Sequence, residues 1–150
     1  MKYLILFFII LAFSVSSFSQ TEIISTFKVT NYQINGENYD HVALDEDVAL
    51  SFYTCGEEMI CFANEFRNSD SQSYGGVFGL KRTQFEETDK NYARDVYQFT
   101  WDFVNTFDNI KGKASVTLKQ IYIGSTVKMT AEIIVLATND VLTFVGYLEE

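Results

Sequence analysis

Cys55 and Cys61 are the only cysteines in this 150-residue chain, and they enclose Gly56-Glu57-Glu58-Met59-Ile60. Paired thiols serve redox exchange, metal binding or a structural bridge. Redox exchange is disfavoured, because the spacing is not Cys-x-x-Cys and no helix start is expected nearby to lower a thiol pKa. Zinc would need further His or Cys ligands, and His41, the single imidazole, stands 14 residues before Cys55. The spacing suits a disulfide across the tip of a hairpin, where paired strands bring Cβ atoms close, with two buried free thiols as the alternative. By the chain-entropy argument so short a loop contributes about 2 kcal/mol.

His41 is flanked by Asp40 and Asp45, the formal parts of a Ser-His-Asp relay. No Gly-x-Ser-x-Gly elbow accompanies them, and a lone histidine in a polar segment reads as a solvated loop residue. Seven acids (Glu37, Asp40, Asp45, Glu46, Asp47, Glu57, Glu58) stand in residues 37–58 with no Lys or Arg among them. Oxygen-rich loops suit calcium, but the EF-hand spacing is missing, and such a run ordinarily serves solvation. Twenty acids without geometry select no carboxylate pair for glycoside hydrolysis. The chain is therefore read as a non-enzyme, with no catalytic residue, no metal and no cofactor assigned.

The remaining candidates are aromatic. Tyr97, Phe99, Trp101, Phe103 and Phe107 occupy odd positions of residues 97–107, with Gln98, Thr100, Asp102 and Thr106 between them. This is the period of a strand, whose side chains alternate between faces. The aromatic face either packs a core or lines a cavity, and aromatic walls grip apolar ligands. Tyr97, Phe99, Trp101 and Phe103 are accordingly the expected ligand-lining residues.

Positioning such a face takes a β scaffold, and the rest of the chain reads as strands. Residues 127–137 alternate in the same way. Residues 23–34, 47–54, 59–66, 73–81 and 141–148 are strand-like, with turn chemistry at Asn35-Gly36, Cys55-Gly56, Asp108-Asn109, Gly124-Ser125 and Asn139-Asp140. The glycines of 73–81 suggest a bulge or a close backbone approach. In 114–123 the apolar phase slips from Leu118 to Ile121, which suggests a bulge or bend. One helix is expected, over about residues 84–95, from the spacing of Phe85 and Tyr92. About eight short-turned strands make an antiparallel meander. Closure into a small barrel, lipocalin-like in general shape, removes its edges; a two-sheet sandwich is the alternative.

The first residues read as an address. Lys2, the apolar run Leu4–Phe13 and the small residues Ser17 and Ser19 form a secretory signal peptide over residues 1–19, leaving a single antiparallel β domain over 20–150. The apolar run is shorter than the roughly 20 residues that span a bilayer, so no membrane span is expected after cleavage. Eleven Lys+Arg against twenty Asp+Glu, net charge −9, disfavour nucleic acid as a partner. The expected function is a secreted or periplasmic, non-catalytic binding module for a small apolar or aromatic ligand. The rival is a structural or interaction protein of the cell envelope, with a filled core and another envelope protein as partner. An outer-membrane barrel would also combine a signal peptide with alternating strands, but the carboxyl end, Tyr147-Leu-Glu-Glu150, lacks a closing aromatic. Nothing in the sequence sets an oligomeric state.

Overall fold

Period-two alternation becomes nine strands in the computed structural model, which describes residues 21–89 and 91–150. The expected signal segment, residues 1–19, lies outside the described residues. In chain order the elements are β1 (Ile23–Ile34), β2 (Glu37–Asn38), α1 (Asp40–Asp45), β3 (Val48–Thr54), β4 (Ile60–Phe66), β5 (Ser71–Asp89), β6 (Tyr92–Asn105), β7 (Lys111–Ile123), β8 (Thr126–Val135) and β9 (Val141–Leu148). Neighbours pair antiparallel in the order β1-β3-β4-β5-β6-β7-β8-β9, and β9 returns to β1. The eight long strands thus form a closed up-and-down barrel rather than a sandwich, with β2 as a two-residue hairpin appendage of β1. Asn35, Asn109, Gly124 and Asn139 take left-handed backbone in the turns where the sequence places them.

The β1–β9 seam runs from Phe27 opposite Leu148 to Ile34 opposite Leu142, with one bulge between Val29 and Asn31. It needs a glycine. A Cβ on Gly146 would stand 2.4 Å from the Lys28 carbonyl oxygen, so any side chain there would push the seam apart. Gly75 plays the same part between β5 and β6, where a Cβ would meet the Asp102 carbonyl at 1.7 Å.

Inward residues fill the barrel. Phe27, Leu50, Phe62, Val116, Met129, Ile133 and Phe144 are each at most 2% exposed. Burial of each such side chain stabilises the fold by roughly 1.5–3 kcal/mol. The outer wall carries Lys28, Thr100, Lys113, Ser115 and Glu132 in exposed positions.

Several sequence expectations are corrected. Residues 84–89 and 91–95 form no helix. They are the outer half of the β5–β6 hairpin, where Phe85 opposes Asp95 and Glu86 opposes Arg94, ion-paired at 3.4 Å. Cross-strand partners decide such a segment, and its helical period rested on one pair of aromatics. The strand expected over 97–107 runs Tyr92–Asn105, and Phe107 lies in the following turn, 86% exposed. There Asn105 accepts the Phe107 N–H at 2.7 Å and stops the strand. Likewise β8 ends at Val135, before Ala137. The slip in 114–123 is not a bulge, since β7 pairs with β6 and β8 without a break. Ile121 and Ile123 simply share the outward parity, while Gln120 and Tyr122 continue the inward one. His41 belongs to α1 rather than a loop, and it is exposed.

Candidate functional site

The two ends of the barrel differ. One is capped by α1. Ala43 is fully buried there, and Tyr39 and Val42 pack on the core. Below them Tyr32 stacks on Phe144 with centroids 4.6 Å apart; burial pushes the Tyr32 hydroxyl up to about 12. Asp40 fastens this cap. Its carboxylate accepts the Tyr32 N–H at 2.9 Å and the side-chain amides of Asn38 and Asn31 at 3.0 and 3.1 Å. The Tyr32 backbone donor, then Asn38, hold its carboxyl below the usual range.

The opposite end is open and uneven. β4 pairs with β5 only as far as Cys61–Gly76, whereas β5 and β6 continue together to Asp89–Tyr92. The break falls at Gly79, which has φ +64°, beside a register shift between Phe78 and Lys81. The β5–β6–β7 wall therefore stands taller than the β1–β3–β4 wall. At its foot is an apolar mouth of about 180 Å³, lined by Ile24, Phe52, Ile60, Leu80, Tyr97 and Phe99, with Leu118 and Gln120 completing the rim. Phe52, Phe62 and Phe99 form its floor as tilted and edge-on rings, with centroids 4.9–5.9 Å apart. Ile24 and Leu80 remain 54% and 43% exposed on its rim, and Phe78 and Met59, 47% and 43% exposed, line a neighbouring hollow that shares Ile60 and Leu80 with it. No such concentration is needed for stability, and contiguous exposed apolar surface marks interaction sites.

Polar groups stand on the tall wall just above the mouth. Asp95 faces inward, one inward position beyond Tyr97 and directly across from Gln120. It is 6% exposed. The Tyr97 hydroxyl donates to one carboxylate oxygen at 3.2 Å, and the other oxygen has no donor among the described residues. Burial raises the Asp95 pKa, against the Tyr97 hydrogen bond and the Arg82 charge. Burial also raises Tyr97 and Tyr122, each further lifted by the Asp95 charge. The Tyr122 hydroxyl donates to Gln120.

Cys55 and Cys61 form the expected disulfide, with Cα atoms 5.8 Å apart. It closes the β3–β4 hairpin on the outer face beside the mouth, where the Cys55 N–H also donates to the Met59 carbonyl at 3.1 Å. A disulfide places the chain in an oxidising, non-cytoplasmic compartment. No helix among the described residues is long and apolar enough to cross a membrane. Two of the acids of 37–58 have structural partners: Asp40 as above, and Asp47 with Lys28 at 3.2 Å and Arg67 at 3.1 Å. No three His, Cys, Asp or Glu converge as a metal ligand set among the described residues.

Four larger hollows lie among the described residues, and the two largest are on the outer wall. One, about 470 Å³, is a shallow depression bordered by Tyr74, Val104, Lys111 and Phe103. The other, about 580 Å³, lies between Tyr53 and Tyr74 over Ser51. Its charged groups already have partners: Glu65 accepts from the Ser51 hydroxyl at 2.9 Å, and Arg67 donates to Glu149 at 2.7 Å. Neither has the dry lining of the mouth.

The four expected ligand-lining aromatics are divided by this geometry. Tyr97 and Phe99 line the mouth. Trp101 lies deeper, 3% exposed, packed on Phe62 and Phe103 with its indole N–H donating to the Phe62 carbonyl at 3.0 Å. Phe103 lies farther toward the capped end, over Gly112. Sequence reasoning missed Ile24, Leu80 and Leu118 as mouth residues, and Asp95 above them. Phe52 and Ile60 lie in segments read as strands, but Asp95 lies in the segment read as helix. No protein-family model, curated protein or solved structure matches this chain.

Proposed function

We propose that the protein is a non-catalytic binding module, exported by the signal segment 1–19, whose open barrel end seats one small apolar or aromatic group. The observation that carries this reading is the asymmetry of the ends: one is plugged by α1, the other presents a dry recess ringed by exposed apolar side chains. The size limits the ligand. Drug-sized pockets run roughly 300–1,000 Å³, whereas a cavity of about 150 Å³ holds benzene. A recess of about 180 Å³ suits a single ring or a branched alkyl group.

Titration with toluene, followed by NMR, tests it. Shift changes are expected at Phe52, Tyr97, Phe99 and Leu118, and they should vanish in Leu80→Glu, which sets a charge on the rim. An unperturbed mouth at saturating toluene would overturn the reading. A structural or interaction role in the cell envelope has the densely filled interior in its favour, and that result would point to it. Export is tested separately by mass spectrometry. The mature chain is expected to begin at Gln20, and an intact Met1 on exported protein would refute cleavage.

A further inference from the structure

We infer that the mouth selects an amine: a small aromatic or branched-alkyl group seats in the apolar recess while its ammonium meets the free carboxylate oxygen of Asp95. This deepens the binding reading above and rests on it. The mouth and the acid are separate observations. The recess alone explains an apolar ligand and says nothing of its head group. Asp95 adds a carboxylate that is 6% exposed, with one oxygen held by the Tyr97 hydroxyl and the other without a donor among the described residues. A buried carboxylate left half-partnered costs free energy. Such groups persist where they meet a partner in function.

The geometry connects the two. Tyr97 lines the recess and holds Asp95; Gln120 lines it and sits across the β6–β7 ladder from Asp95. Consecutive inward positions on a strand are roughly 7 Å apart, about the reach from a seated ring to an ammonium one carbon away. The groups facing Asp95 are Arg82 and Phe85 from β5, Tyr97 on its own strand, and Gln120 and Tyr122 from β7. Arg82 is the only full positive charge in that set. Its exposed guanidinium lies 4.6 Å from the centroid of the Phe85 ring and also hydrogen-bonds Tyr97, so an incoming ammonium competes with it for the Asp95 charge. The chain's net charge of −9 draws cations rather than anions toward the site.

Benzylamine, benzyl alcohol and toluene share one ring and differ in the head group, so their affinities at neutral pH and low salt separate the possibilities. Benzylamine is expected to bind ~10-fold or more tighter than toluene, the gain of a charge-assisted hydrogen bond. The ratio should fall toward one in Asp95→Asn. It should also fall as pH drops and Asp95, lifted by burial, takes up a proton. Asp95→Asn is nearly isosteric, and its thermal unfolding checks that the barrel is intact. Tyr97→Phe, which frees the second oxygen but leaves the charge, should keep benzylamine ahead of toluene and so guards against a folding artefact. Equal binding of benzylamine and toluene would overturn the amine inference and leave the apolar mouth standing. Benzyl alcohol matching benzylamine would also overturn it, in favour of a neutral donor. Binding of none of the three would remove the binding reading itself.

Discussion

Trp101 shows how one side chain separates core from site. Its ring sits one layer behind the mouth, edge-on to Phe62 at 5.0 Å and tilted against Phe103 at 4.8 Å, and its only polar atom is satisfied by the Phe62 carbonyl. Every surface of the indole is therefore in contact or bonded, which makes it core. Trp101→Ala is expected to cost about 3–5 kcal/mol, the range for emptying a large aromatic site. Trp101→Phe keeps most of the apolar bulk but loses the indole hydrogen bond to the Phe62 carbonyl, and should cost about 0.5–1.5 kcal/mol. Urea denaturation measures both, and a cost below about 1 kcal/mol for the alanine variant would show that the ring was never packed. Because Phe62 and Phe99 link Trp101 to the mouth floor, its fluorescence is a natural reporter of occupancy there.

At the scale of elements, the β3–β4 hairpin and the β5–β6 hairpin build the mouth's two sides by different means. The first is stapled by Cys55–Cys61 at its tip. Reduction, or Cys55→Ser with Cys61→Ser, should lower stability by about 2 kcal/mol. The loss should be local, with hydrogen exchange quickening at Thr54 and Ile60 and little change at the β1–β9 seam; uniform quickening would count against a local staple. The second hairpin stands free beyond Gly76, where β5 has only β6 beside it among the described residues. That edge carries Lys81, Arg82, Glu86 and Glu87 and two further register shifts, the devices that blunt a lone edge against pairing with another chain. This split explains what the sequence revealed. Strands with one wet and one dry face, such as β6 from Tyr97 and β8, print their alternation directly. The β5–β6 arm has little core beneath it, so Thr83–Thr88 are exposed on both faces and the alternation is lost. The disulfide was legible because spacing alone restricts it. The mouth was half legible: Tyr97 and Phe99 lie on the patterned strand, but Ile24, Leu80 and Leu118 meet them only through closure of the barrel, which no local pattern encodes.

For the whole molecule, two sets of carboxyls pull the pH dependence in opposite directions. Asp40, Asp47, Asp140 and Glu149 are held below the usual range, by backbone or side-chain donors at Asp40 and Asp140 and by Lys28 and Arg67 at Asp47 and Glu149. A group with a depressed folded pKa stabilises the fold above its unfolded value, and that contribution disappears as pH falls through the folded one. Asp95 is raised, chiefly by burial, so its sign is reversed. It weighs nothing when protonated in both states, and its penalty grows as pH rises through the range between the unfolded and folded values. Net charge adds to the second trend, because at −9 the chain repels itself at neutral pH and less so near its pI of about 4.5. The unfolding temperature should therefore rise on going from pH 7 toward about 5 and fall steeply below the ordinary carboxylate range of about 4. Asp95→Asn should gain stability at pH 7 and lose that advantage in acid. Glu149→Gln removes a carboxylate that takes two Arg67 hydrogen bonds, at 2.7 and 3.0 Å, and with Asp47 ties the carboxyl end to β1 and the β4–β5 turn. Each exposed pair alone is worth little, so this variant should lie slightly below the wild type at neutral pH and converge with it as pH falls through the carboxylate range. About 0.5 M salt should raise the neutral limb by screening the repulsion. Thermal scans across pH at two salt concentrations read all of these. A wild-type profile that falls steadily from pH 7 downward would mean that neither the burial of Asp95 nor the net charge weighs on the fold.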